Sequence, residues 1–340
     1  MAERVALRVA VIGCGLMGRR RAAAVAAHPE TRLAAVVDAD PARAEQLADD
    51  YGCDVCPDWR DAVDRGDVDA VVVATPNGYL AEIGCAAVSA GKHVLLEKPM
   101  GRNLTEAQAL AQAADGSGRL LKIGFNHRYH PGLDRLLAAV RAGEIGRVVA
   151  VRGRYGHGGR PGSEREWRAD PDLAGGGHLI DQGVHLVDLI HAVAGLPEQA
   201  VAFLQTAVWQ ISPLEDNAHA MFRFREGGVA QIHVSMTQWR NLFSFEVHGE
   251  TGSLAVEGLG GSYGTERLIR IRRRLEGGAP DIEEEEFPEP DRSWDEEWRD
   301  FVQATATGRL RCGGVGDGLA AMRMIDALYR SARSGRIVEV

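Results

Sequence analysis

The sequence predicts an α/β protein: an N-terminal doubly wound parallel sheet joined to a C-terminal α+β domain with a large, mostly antiparallel open sheet. Three observations carry this. Over the first ~125 residues, strand-length apolar runs alternate with helix-length segments, the pattern of parallel strands linked by helices. From residue 199 onward, strand-like runs follow one another without intervening helices, which favours antiparallel pairing. A length of 340 residues, 45% of them hydrophobic, supplies two cores at roughly 150 residues per domain. The expected domains are 1–126 and 127–340.

Taken in order, the runs at residues 5–12, 33–37, 70–74, 93–96 and 120–125 are continuously apolar, which suits strands covered by helices on both faces. Residues 18–27, 41–51, 79–90 and 104–114 read as the helices between them. Beyond Asn126 come a helix (132–142), a strand (148–154), a glycine-rich loop (156–177) and a helix (177–193). Strands are expected at 199–208, 218–225, 229–237, 242–248, 253–257 and 267–275, with Gly227-Gly228 as a tight turn. Helices at 293–307 and 316–334 complete the chain.

The charge is local. Against 39 Lys and Arg stand 48 Asp and Glu, a net of −9. Residues 281–300 alone hold eleven acids and two arginines, so the other 320 residues are formally neutral. A neutral body lacks the basic footprint that nucleic acid requires. Arg267, Arg270, Arg272, Arg273 and Arg274 face Glu283 to Glu286 across an expected hairpin, a favourable cross-strand arrangement. The acids of 291–300 fall at a helix start, where the dipole favours them. This acidity reads as structural, on the sheet domain.

No apolar run approaches the ~18–20 residues of a membrane span. The opening residues enter a strand-like segment with no signal-peptide organisation. Five scattered cysteines make no disulfide framework, and Cys53-x-x-Cys56 has no second ligand pair nearby. A reduced, cytoplasmic protein is expected.

Gly13-Cys14-Gly15-Leu16-Met17-Gly18 follows an apolar strand and opens an alanine-rich helix. Gly13 permits a tight turn, Gly15 a close approach of backbone to a pyrophosphate, and Gly18 close packing of helix on strand. The helix start, with Leu16 and Met17, offers unpaired N–H groups to phosphate. Asp38 ends the second strand, 20 residues after Gly18, where a carboxylate accepts from an adenosine ribose 2′-hydroxyl. This makes the first domain a dinucleotide-binding Rossmann domain. The carboxylate favours NAD over NADP, while Arg43 nearby would suit the phosphorylated form.

Two more segments bear on chemistry. Glu97-Lys98-Pro99 follows a strand at the carboxyl edge of the sheet, where ligands of such sheets bind. The segment 175–185, GGGHLIDQGVH, places Asp181 and His185 four apart on one helical face. An aspartate beside a histidine supports an acid/base for an alcohol–ketone interconversion. Alone, Lys98 reads as a surface lysine and Asp181/His185 as a surface pair. His178 adds a third position that opens a metal reading, but no fourth ligand is evident and no metal is expected.

Together with Ala74-Thr75-Pro76-Asn77, these motifs resemble the Gfo/Idh/MocA oxidoreductases, named for glucose–fructose oxidoreductase and inositol dehydrogenase. The resemblance spans essentially the whole chain. It implies that Lys98, Asp181 and His185 line the active site, with the histidine as acid/base, and that Thr75, Pro76, Asn77 and Glu97 border the cofactor. It further implies a cis peptide before Pro99, and dimers or tetramers built on the open C-terminal sheet. One departure stands out: such proteins often carry a histidine three residues after the last fingerprint glycine, where this chain has Arg21. An arginine there can reach phosphate or an acidic neighbour.

Residues 124–131 leave the last Rossmann strand for the second domain, and Asn126 and Arg128 are expected to contact nicotinamide or substrate oxygens. The loop after Val151 carries Arg152, Arg154, Tyr155, His157, Arg160, Trp167 and Arg168. Tyr155 and Trp167 offer faces for a polyhydroxylated ring. The arginines would suit a diphosphate, or simply pair with Glu164, Glu166, Asp170 and Asp172. His219, His233 and Trp239 read as core or interface residues. The expectation is hydride transfer at a ring carbinol of a sugar, nucleotide sugar or cyclitol, in either direction. Two other classes stay open: an NAD-dependent glycosidase acting by transient oxidation and elimination, and a non-catalytic NAD-binding regulator.

Overall fold

The structure is a computed structural model and describes residues 6–274 and 276–340. Val5 and Leu275, which end two of the expected strands, lie outside the described residues. The chain forms two compact units, one of residues 1–126 with 294–319, the other of residues 127–293 with 320–340.

The first unit carries β1 (Leu7–Ile12), α1 (Leu16–Ala27), β2 (Thr31–Val37), α2 (Pro41–Tyr51), β3 (Asp54–Val55), α3 (Trp59–Asp64), β4 (Ala70–Val73), α4 (Asn77–Ser89), β5 (His93–Glu97), α5 (Leu104–Ala114) and β6 (Leu121–Gly124). The six strands are parallel, in the order β3-β2-β1-β4-β5-β6. The strands expected from their apolar runs all form, and β4 is buried at every position, as helices on both faces require. The short β3 and α3 had no apolar run to announce them. Local chemistry sets the helix ends: α2 starts with Asp40 accepting from the Ala42 N–H and Pro41 in its first turn, and stops at Gly52 in the left-handed region.

The second unit begins with a 3₁₀ turn (Asn126–Tyr129, entered from the first unit), then α6 (Pro131–Arg141), β7 (Val148–Gly156), α7 (Pro171–Ala174), a π-helical turn (Leu179–Gly183) and α8 (Val184–Ala194). β8 (Gln199–Gln205), β9 (Asn217–Arg223), β10 (Val229–Ser235), β11 (Leu242–Gly249), β12 (Gly252–Glu257), β13 (Glu266–Arg272) and β14 (Asp281–Phe287) follow. After α9 (Ser293–Thr307) and α10 (Val315–Ser334), β15 (Val338–Glu339) joins the sheet edge. The nine strands run β14-β13-β12-β11-β7-β10-β9-β8-β15, antiparallel except for β7 beside β10. Strands β8 to β10 alternate: Ala200, Ala202, Ala220, Phe222, Ile232 and Val234 are buried, while Phe203 is 75% and Met221 45% exposed on the opposite, open face.

The acidic window divides. On β14 it meets arginines as expected: Arg267 bridges Glu284 (2.7 Å) and Glu257 (2.9 Å), and Arg274 pairs with Asp281. Residues 294–300, by contrast, return to the first unit. There Trp298 and Phe301 enter the core beside Val9, Val11, Val25 and Val36, and the Trp298 indole N–H donates to Thr31 Oγ1 at 3.3 Å. Lys122 on β6 donates to Asp300 (3.2 Å) and to the Cys312 carbonyl (2.5 Å), which fixes the returning segment. Two buried aromatics outweigh chain proximity in deciding where this helix packs.

Candidate active site

In the first unit, the glycines of the fingerprint do three different things. Gly13 sits at φ +97°, and a Cβ there would lie 2.5 Å from the Ala74 carbonyl oxygen at the end of β4. A Cβ on Gly18 would lie 1.7 Å from the Gly13 carbonyl oxygen, so only glycine lets α1 close on the turn. A Cβ on Gly15 meets nothing within 4 Å, so the loop is open at this point. Gly15 caps α1 without a side-chain acceptor and Leu16 is 66% exposed, which leaves the helix start available to an anion. Asp38 closes the turn from the side: its Oδ2 accepts from the Cys14 N–H at 2.6 Å and its Oδ1 from the Asp40 N–H at 2.9 Å. Arg43 pairs with Asp40 at 3.2 Å. Burial, with Asp38 adding to it, pushes the Cys14 thiol up to about 12, which makes it a protonated packing residue.

This cradle fits the adenosine diphosphate half of a dinucleotide: open helix start, close glycine backbone, and a carboxylate at the second strand. Pro76 caps α4, Asn77 is buried in its first turn, and Thr75 lies half-buried before them. The Lys98–Pro99 peptide is cis. Glu97, expected to border the cofactor, is buried and has another partner: its Oε1 accepts from Arg21 Nε at 2.7 Å and lies 2.6 Å from Nη2 in the same ion pair. Arg21 Nη1 in turn donates to Glu297 on α9 at 2.6 Å, and the Trp294 ring stacks on the guanidinium at 4.5 Å. The departure from the family pattern is therefore filled by an acidic neighbour. Gly124 makes room for it, since a Cβ there would stand 2.7 Å from Arg21 Nη2.

In the second unit, His185 is the second residue of α8 and is buried. Its ring stacks on that of His127, centroids 3.7 Å apart and planes 17° apart. Tyr155 stands edge-on to His185 at 6.3 Å and tilted to His127 at 5.4 Å, with Phe243 behind both Tyr155 and His127. The Tyr155 hydroxyl is hydrogen-bonded to that of Tyr263, whose ring packs at 5.1 Å. Burial pushes both phenols up, so both remain neutral donors.

Asp181 lies in the π turn rather than a regular helix, and its Oδ2 accepts from Arg168 Nε at 3.2 Å. Arg168 in turn lies over the Trp167 ring at 4.3 Å. Trp167 packs against Ala174, Ile211 and Leu214. Two more arginines of the loop meet acids: Arg160 bridges Glu166 at 2.6 Å and Arg165 approaches Glu164 at 3.8 Å. Arg128 corrects an expectation. It is buried, and its Nε and Nη2 hold the Asp188 carboxylate at 2.7 and 2.5 Å, a fork matched to an internal partner instead of an open donor. Asn126, at the end of the first unit, is also buried.

The glycine run 175–177 has a partner that the sequence did not disclose. A Cβ on Gly177 would lie 2.1 Å from the Glu215 carbonyl oxygen, and one on Gly176 2.1 Å from the Tyr329 hydroxyl. The Glu215 carboxylate accepts from the Gly177 N–H (3.1 Å), the Leu179 N–H (2.9 Å) and the Tyr329 hydroxyl (2.8 Å). Burial pushes its carboxyl above the ordinary range against those donations. Glu215 thus serves as the cap of the segment that carries Asp181 and His185. His178, on the same segment, packs edge-on against His157 at 5.0 Å.

Comparison with known proteins agrees with both units. Residues 7–125 match the oxidoreductase family with an NAD-binding Rossmann fold, and residues 133–255 match the GFO/IDH/MocA C-terminal domain. Levoglucosan dehydrogenase of Pseudarthrobacter phenanthrenivorans is 29% identical over 73% of this chain and 73% of its own. Inositol 2-dehydrogenase of Rhizobium meliloti is 27% identical over 98% and 99%. A solved levoglucosan dehydrogenase, in complex with NADH and levoglucosan, superposes with a TM-score of 0.89 at 26% identity, covering 98% of this chain and 99% of that one. With both family domains matched in order over most of its length, this chain belongs to the Gfo/Idh/MocA family of oxidoreductases.

Proposed function

We propose that the protein interconverts a ring hydroxyl and a ketone of an uncharged sugar or cyclitol, with NAD as partner. The observation that carries this is the buried His185 imidazole set in a wall of His127 and Tyr155, with Asp181 four residues before it in the chain; the same chain carries a dinucleotide cradle of matching type in its first unit. When bound, the nicotinamide supplies the hydride acceptor or donor. His185 takes the hydroxyl proton in oxidation and returns it in reduction. Lys98 polarises the reacting oxygen and stabilises the charge that develops on it. Asp181 orients the histidine or a neighbouring hydroxyl. Tyr155 and Trp167 serve as substrate surfaces, and Arg128 acts from behind by fixing Asp188 on α8. Gly13, Gly15, Leu16, Met17, Gly18, Thr75, Pro76, Asn77 and Asn126 hold the cofactor, with Glu97 contributing through the ion pair that anchors the strand before Lys98.

Pairing of the loop arginines with Glu166, Glu164 and Asp181 argues for an uncharged substrate over a diphosphate sugar. Two relatives support the uncharged class, being named for levoglucosan and inositol, while others are named for a dTDP-linked sugar. A panel of inositols, pyranoses, anhydrosugars and nucleotide sugars, with NAD and NADP and absorbance at 340 nm, tests this. NADH formation with a neutral ring polyol is expected. Turnover confined to nucleotide sugars overturns the substrate class, and bond cleavage without NADH accumulation would indicate the glycosidase instead.

Asp38 supports NAD over NADP, since a carboxylate after the second strand would repel a 2′-phosphate and Arg43 is paired with Asp40. Asp38→Ala is expected to raise KM for NAD by about 10–100-fold, the worth of a charge-assisted hydrogen bond, and to leave KM for NADP unchanged or lower. An unchanged NAD/NADP ratio refutes the assignment. A second copy of this chain is the expected partner of the open sheet face, where Phe203 and Met221 are exposed.

A further inference from the structure

The sequence singled out His185 and passed over His127, yet the two imidazoles are the most intimately packed rings of this wall. We propose that His127 is a positioning residue for His185, and that the stacked pair accepts one proton as a unit. This inference rests on the reading of His185 as acid/base. The geometry has two parts. His127 is boxed: His130 stands edge-on to it at 5.7 Å, Phe243 at 5.9 Å and Tyr155 tilted at 5.4 Å, so its ring is a fixed floor under His185. Both rings are buried, His127 5% and His185 4% exposed, so little water screens one from the other.

Two unit charges about 4 Å apart, at an effective dielectric near twenty, repel enough to separate successive protonations by about three pH units. A stack of 3.7 Å therefore holds one imidazolium or none over the working range. The proton then belongs to the pair and is shared between two microstates.

The groups around the pair fit a single cation. On the turn of His127, Arg128 is matched by Asp188 of α8. His130 is held by Glu266 of β13 at 3.2 Å, with Asp291 at 3.8 Å. From β7 and the loop after β12 come the neutral phenols Tyr155 and Tyr263. Asp181, ahead of α8, carries Arg168 at 3.2 Å. A proton taken by His185 from a substrate hydroxyl can be accommodated by a neutral His127 and repelled by a charged one. His185 is therefore competent as a base only while the pair carries no proton, so the acidic limit of its function belongs to the pair and not to His185 alone.

The test is a pH titration of the full chain with 13C-labelled histidine, followed by NMR from pH 8.5 to 4.5, resonances being assigned with His127→Phe and His185→Gln. In the wild type, the His127 and His185 signals are expected to move together, each through only part of the full imidazole-to-imidazolium change. In His127→Phe, the His185 signal is expected to traverse the whole change in one step, and the acidic limb of kcat/KM to become a single full ionisation. The proposal is overturned by either ring completing the change independently in the wild type, by a His185 curve unaltered in His127→Phe, or by neither ring titrating. The wild-type curve decides even if the variant does not fold. The NMR titration itself needs no substrate, so a shared titration in a protein without dehydrogenase activity would sink the redox reading and leave the pair standing.

Discussion

His185→Ala is expected to lower kcat by about 10²–10⁴-fold, the usual contribution of one positioned acid/base. The loss falls on the chemical step, because the residue lies in the second unit and the dinucleotide cradle lies in the first. Affinity for NAD, followed by fluorescence, should stay within about twofold of the wild type. The fold should hold as well. Most of α8 around His185 is buried (Val184, Leu186, Val187, Leu189 and Ile190), and these residues keep their partners when the imidazole is removed. A variant retaining more than a tenth of wild-type turnover refutes the role. Lys98→Met gives a second reading of the same oxygen: it should reduce kcat and raise KM for the polyol together, since a polarising cation acts on bound substrate and on the charge that develops later. If only His185→Ala were silent, the proton would have to pass by another route, and the hydrogen-bonded hydroxyls of Tyr155 and Tyr263 adjoin the wall.

How much of this could be read in the sequence depended on whether the interaction was local. The fingerprint glycines and Asp38 lie at strand ends in a motif whose spacing states its own geometry, while the cis Lys98–Pro99 peptide was implied only by the family resemblance. The continuous apolar runs of β1, β2, β4 and β5 likewise announced a sheet covered on both faces. The β13–β14 hairpin was readable from its opposed arginines and glutamates. What stayed hidden were pairings between distant stretches. Glu215 gave no signal beyond a charged residue before a strand, yet it lies 38 residues from the Gly177 N–H that it caps. Asp188 is by sequence one polar position on a helix, and its partner Arg128 lies 60 residues earlier. Arg128 was accordingly expected in the wrong environment: a forked cation looks the same in sequence whether it serves a ligand or a buried carboxylate. The return of α9 to the first unit turned on Trp298 and Phe301, two aromatics whose amphipathic spacing shows that a face is buried but not against which sheet.

Arg21→Ala is expected to cost about 3–5 kcal/mol of folding stability at pH 8, the penalty for breaking a buried ion pair by removing one partner. Arg21 and Glu297 have no exposed side-chain surface, and Glu97 has 6%. Without the guanidinium, two carboxylates are left in the interior with Lys122 as the next cation acting on Glu297. At about 2–4 °C per kcal/mol for a domain of this size, the melting midpoint should fall by roughly 6–20 °C. The pH dependence separates charge from lost volume. Burial raises the folded-state pKa of Glu297 above its unfolded value, and the variant removes the guanidinium that opposes this. An acid so shifted destabilises above its folded pKa, and the penalty disappears as pH falls through that value. The deficit relative to wild type should therefore shrink between pH 8 and pH 5. A cavity left by the missing side chain would cost the same at both. Arg21→Lys should recover only part of the loss, because one ammonium cannot present two edges to two carboxylates as the fork does, nor lie flat on Trp294. Urea unfolding at pH 8 and pH 5 decides the matter: a deficit below about 1 kcal/mol, or one that does not move with pH, would show that the triad is not what ties α9 to the strand before Lys98.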